Sequence, residues 1–122
     1  LYLLTIPENF TDLYKLPVEV LDRIRETACK GMGVNLSGPS MVSLFTYDNG
    51  TMVVHSFNDS PVEVDLVFTE QKTTVTNLLT GERIEANVIP EVKGWGSRVL
   101  SPTKYTCRVK LPARSFGVVR VE

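Results

Sequence analysis

Fourteen carboxylates, one histidine, two cysteines and one tryptophan carry most of the chemistry open to this 122-residue sequence. Acid–base hydrolysis needs two carboxyl groups facing across a cleft, one of them held protonated. The available acids are Asp48 in a turn, Glu63 and Asp65 on one face of a strand, and Glu70, Glu82, Glu85 and Glu91 near strand ends or on polar faces. Each reads as a solvated charge. Like charges two residues apart on a strand blunt a sheet surface more readily than they form a dyad. His55 alone cannot build a multi-histidine metal site. No Ser-His-Asp set or Gly-x-Ser-x-Gly elbow assembles around it. It reads as a structural histidine, opposite Leu44 in a hairpin and on the same face as Val42 and Phe57. No catalytic residue, metal site or cofactor is assigned.

Gly31-Met32-Gly33 has the spacing of a dinucleotide-binding turn, but it closes a helix instead of opening one, and no third glycine follows. It reads as a cap. Cys29 on a helix and Cys107 on the inward face of a strand are too few for a disulfide framework or a zinc site, and free thiols are expected. Four of the six asparagines begin an Asn-x-Ser/Thr triplet: Asn9, Asn35, Asn49 and Asn58. They would be acceptors in a glycosylating pathway, although Asn-Gly-Thr and Asn-Asp-Ser are also ordinary turn sequences.

Gly94-Trp95-Gly96 offers the one candidate binding site, with Arg98 beside it and Tyr105 nearby in sequence. An exposed indole can stack on the C–H face of a sugar ring while its N–H stays available. The more economical reading folds Trp95 back as a lid on the core, with the glycines permitting close backbone approach.

The elements that would position these residues are mostly strands. Seventeen valines, twelve threonines and four isoleucines give a β-branched composition that favours the pleated surface. Leu1 to Ile6 is a short apolar run, and Glu8 to Tyr14 is polar and irregular. Pro17 opens a helix over 17–30, with Leu21, Ile24 and Ala28 on one stripe. Glu19–Arg23 and Glu26–Lys30 lie at favourable spacing, and Gly31 is a left-handed cap. Asn35 to Ser40 reads as a turn-rich linker and a domain boundary. Strands follow at Met41–Tyr47 and Met52–Asn58, joined by a two-residue Asn49-Gly50 turn. Further strands are expected at 62–69, 73–79, 83–88, 105–111 and 116–121. Pro90 to Ser97 is a Gly-rich excursion. The fold class is mainly β: an antiparallel sandwich of seven to eight strands with one N-terminal amphipathic helix, a closed barrel being the alternative. Residues 1–40 are expected to be a helical tail of a preceding domain, and 41–122 the sandwich.

Composition limits the partners. Thirteen basic residues against fourteen acidic leave a net charge of −1, with no basic excess for nucleic acid. No apolar run is long enough for a membrane-spanning helix. The sequence begins at Leu1 without a charged-then-apolar leader, and reads as cut from something longer.

Three segments carry a family resemblance. "LFTYDNGTMVVHSFNDSPVEVDLVF", "TVTNLLTGERI" and "VKLPARSFGVVRVE" resemble, in that order, the small C-terminal β-domain of bacterial glycoside hydrolases of the β-galactosidase-like and α-amylase-like kinds. The likeness covers residues 41–122, and "PEVKGWGSRVLSPTK" departs from the shortest versions. It implies a non-catalytic accessory domain of a secreted or periplasmic enzyme. The catalytic acids would lie on an upstream domain of the same polypeptide, which would be this domain's partner, with carbohydrate a further ligand. A carbohydrate-binding module using Trp95 and Arg98, or a secreted adhesion or scaffold domain, are the other readings.

Overall fold

The computed structural model describes residues 8–71 and 74–122. The run Leu1–Ile6 and the expected strand start at Thr73 lie outside them. A 3-10 turn at Phe10–Lys15 precedes helix α1 (Val18–Ala28). The strands are β1 (Val34–Ser37), β2 (Val42–Thr46), β3 (Thr51–Ser56), β4 (Val62–Phe68), β5 (Val75–Asn77), β6 (Arg83–Ile84), β7 (Asn87–Ile89), β8 (Val92–Lys93), β9 (Val99–Ser101), β10 (Lys104–Leu111) and β11 (Phe116–Val121). One sheet has the order β1-β4-β10-β7, a second β2-β3-β11-β5-β6, and β8-β9 stand apart as a hairpin. All pairings are antiparallel. Both large sheets end in edge strands, so neither closes into a barrel among the described residues.

Period-two alternation builds the core. Val64, Leu66 and Phe68 of β4 point inward, as do Cys107, Val109 and Leu111 of β10. Met52, Val54, Val75 and Val119 of the second sheet join them in one cluster. The sheets meet closely at Gly117, where a Cβ would sit 3.3 Å from a Leu111 methyl carbon. Ser56 is the one buried polar side chain among the described residues. Its hydroxyl accepts from the backbone N–H and side-chain amide of Asn58, and that amide also donates to the Ser40 carbonyl.

Eleven strands replace the expected seven to eight. The predicted linker at 35–40 contains most of β1, which pairs with β4 and buries Val34 and Leu36. The sheet therefore begins before residue 41. The strand expected at 83–88 is two: β6 pairs with β5 in one sheet and β7 with β10 in the other. Alternation sets parity along a strand but does not say which sheet receives it. The excursion at 90–97 becomes part of the β8–β9 hairpin.

The β2–β3 turn also differs from expectation. Tyr47 and Thr51 close it, Gly50 donates back to the Tyr47 carbonyl, and Gly50 has φ +77°. This is a three-residue loop with a glycine bulge, not a two-residue turn. The register shifts by one, so His55 lies opposite Ser43, and Val42 faces the core side instead of sharing a face with His55.

Helix α1 is shorter than expected at both ends, with Pro17 as its N-cap and Gly31 at φ +90° just beyond. Ala28 is exposed, and no residue of the helix is buried. Polar contacts fasten it. Asp22 accepts from the Ser37 hydroxyl at 2.7 Å and the Gly38 N–H at 3.1 Å. Arg25 donates to the carbonyls of Gly38 and Pro39. The expected i,i+4 ion pairs are replaced by Arg23–Glu26, Asp22–Arg25 and a cross-element Glu26–Lys104 pair.

Two substitutions test the strand parity. Val109→Asp puts an unpaired charge in the core and is expected to cost on the order of 4 kcal/mol or more. Lys110→Asp faces outward opposite Glu63 and is expected to cost about 0.5 kcal/mol. Urea unfolding separates them, and equal midpoints would contradict the assigned faces. Asp22→Ala is expected to cost about 1–3 kcal/mol and to speed amide exchange in α1 and at Gly38. Unchanged exchange would mean that the helix is held by other contacts.

Candidate functional site

The outer faces of the two sheets differ in chemistry. On the four-stranded sheet, cross-strand register sets Arg108 opposite Asp65 and Lys110 opposite Glu63. Arg108 grips both Asp65 oxygens at 3.0 and 3.3 Å and lies 3.6 Å from Glu63, with Lys110 at 3.9 Å from Glu63. The Asp65 hydrogen bonds raise the Arg108 pKa further above its already high range. So the two acids that share a strand face are held by cations across the ladder. Glu91 pairs with Lys93, and Asp48 is exposed in the β2–β3 turn. Glu26 is held below its usual carboxylate range, first by the Arg23 hydrogen bond and then by Lys104. Among the described residues no group of three or more His, Cys, Asp or Glu side chains is placed to hold a metal ion.

The five-stranded sheet turns an aromatic face outward. Ser43, His55 and Phe116 form one row across β2, β3 and β11, and Phe45, Val53 and Val118 form the next. Phe45, Phe57 and Phe116 are each about half exposed, at 51%, 49% and 55%. The His55 ring lies 4.1 Å from that of Phe57 and 6.5 Å, edge-on, from that of Phe116. Exposed Tyr14 and Met41 extend the patch beside Phe57, where they line a concavity of about 350 Å³ with Val42 and Ser43. Nothing in the residue types alone singles out Phe45, Phe57 and Phe116. Their outward parity emerges only from the correct β2–β3 register.

Trp95 is not a lid. It sits in a 3-10 turn at the tip of the β8–β9 hairpin and is 98% exposed. Gly94 donates to the Arg98 carbonyl at 2.6 Å, which closes the turn and brings Arg98, also exposed, onto the same loop. Gly96 has φ +69°, a conformation favouring glycine. A Cβ on Gly94 would press on the exposed Leu100 side chain at 3.1 Å, which would have to give by a few tenths of an ångström. Tyr105 does not join the loop surface; its ring packs against the core.

The remaining candidates are absorbed by local structure. Cys29, not Gly31, is the C-cap of α1, and Gly31 and Gly33, at φ +90° and +76°, lie in the turn beyond it. Asn9 and Asn49 each accept the backbone N–H two residues on through the side-chain oxygen, as turn-forming asparagines do, and Asn35, within β1, accepts from the Leu36 N–H. Both cysteines are free. Cys29 is half-buried beside a concavity of about 350 Å³ that also touches Glu26, Lys30 and Lys104. Cys107 is fully buried, and burial, aided by the Asp65 charge, pushes its thiol up to about 11.

With this geometry in view, sequence comparison settles the family. The family described as "Probable glycosyl hydrolase, C-terminal domain" matches residues 33–121. The chain belongs to that family. The matched span starts one residue before β1 and ends with β11, so it includes the strand lying ahead of residue 41. Neither a curated protein nor a solved structure matches the chain.

The Cys107 thiol gives this glycosyl hydrolase C-terminal domain a pH signature. Its folded pKa lies above the unfolded value near 9, so the unfolded state releases a proton first as pH rises. Stability is expected to be unaffected below pH 9 and to fall between about 9 and 11. Cys107→Ala should remove that part of the slope in urea unfolding across this range. An identical slope in the variant would assign the loss to other groups.

Proposed function

We propose that this domain is a non-catalytic accessory β-sandwich that packs on an upstream catalytic domain of the same glycoside hydrolase. The observation that carries the reading is the aromatic face of Phe45, Phe57 and Phe116 around His55, left half exposed on a domain whose core is already closed. Three phenylalanines beside Val53 and Val118 supply the kind of desolvated centre on which domain interfaces depend. The opposite face is satisfied by its own ion pairs and has less to gain from being covered. Family membership supports the position at the C-terminal side of an enzyme. The placement of Glu63 and Asp65 against Arg108 and Lys110 supports a structural use of those acids.

Calorimetry of the full polypeptide tests this. The double variant Phe45→Asp with Phe116→Asp is expected to lower the melting temperature of the full polypeptide, or to split one transition into two. In the 122-residue chain alone the same pair should shift melting by no more than about 2 °C, because both side chains face outward. The same shift in both settings would show that the face contributes only within this domain, and the packing reading would fail.

A further inference from the structure

The β8–β9 hairpin is a second surface, and covering the aromatic face does not account for it. Val92, Val99 and Leu100 are each at least half exposed, and Trp95 stands at the tip with almost its whole surface in solvent. Neither Gly94 nor Gly96 has a side chain to shield the indole. The polar groups of the hairpin are hydrogen-bonding ones: the Glu91–Lys93 pair and Arg98, whose guanidinium carries five N–H donors. A flat apolar ring on a hairpin that also carries N–H donors complements a pyranose, which has an apolar C–H face rimmed by hydroxyls.

We propose that this hairpin is a carbohydrate-stacking finger, with Trp95 lying on a pyranose face and Arg98 donating to its hydroxyls. The finger is convex, with one aromatic and no opposing wall on the hairpin. It fits a sugar within an accessible polysaccharide chain better than an enclosed monosaccharide. A single contact of this kind is weak. Tethered to an enzyme acting on the same polymer, it gains through effective concentration. The inference draws on membership of a glycosyl hydrolase family for the ligand class. It does not depend on how the aromatic face packs.

Affinity electrophoresis tests it, with the 122-residue chain run in native gels containing β-glucan, xylan, galactomannan or starch. Retardation is expected in at least one polymer, at least fivefold weaker for Trp95→Ala, with the two chains melting alike. Trp95 is the sole tryptophan, so quenching of intrinsic emission by the same polymer reports the contact directly. The Phe45→Asp, Phe116→Asp chain should be retarded like the parent, which separates this proposal from the packing reading. Equal mobility of parent and Trp95→Ala in every gel would overturn it. So would protection of Trp95 from N-bromosuccinimide in the sugar-free full polypeptide, which would give the hairpin to a protein contact instead.

Discussion

The seven-residue ladder between β4 and β10, running from Val62 opposite Leu111 to Phe68 opposite Tyr105, is the constraint on which the rest depends. Its parity sends Val64, Leu66, Phe68, Cys107, Val109 and Leu111 into the core and Glu63, Asp65, Arg108 and Lys110 outward. A slip of β10 by one residue against β4 would turn Arg108 and Lys110 inward and Cys107, Val109 and Leu111 outward, so the register has little freedom. The edge strands β1 and β7 are added to a layer already specified.

That ladder was legible in the sequence because both its strands alternate between inward apolar residues and outward polar or charged ones, with Val67 the exception. Strand β3 was not. Thr51-Met52-Val53-Val54-His55-Ser56-Phe57 is apolar on both parities, and the buried parity is the one carrying Ser56, which only its Asn58 hydrogen bonds make tolerable. The turn decided the matter, and Asn-Gly fits both a two-residue turn and a three-residue loop with a glycine bulge. Strand β1 was hidden because Asn35, Ser37 and Gly38 look like turn residues, although Val34 and Leu36 alternate with them into the core. The docking of α1 was hidden because Asp22 and Arg25 find partners in Ser37, Gly38 and Pro39, which no helical periodicity can reveal.

The functional surfaces were visible in unequal measure. Trp95 and Arg98 stood out by type and by flanking glycines, but sequence alone favoured burial of the ring. The exposed tip follows from the small hairpin β8–β9, which stands apart from both large sheets and leaves its aliphatic and aromatic side chains exposed. The three phenylalanines of the other surface are not singled out by residue type, and it is the strand register that places them outside. The two outer faces thus divide the protein's chemistry. One spends its charges on itself across the β4–β10 ladder, and the other leaves aromatic area exposed.

Hydroxyl-radical footprinting of the full polypeptide against the 122-residue chain measures that division most directly. Phe45, Phe57 and Phe116 should be oxidised readily in the short chain and protected in the full polypeptide, while Trp95 stays reactive in both. Equal oxidation of the three phenylalanines in both forms would contradict the account.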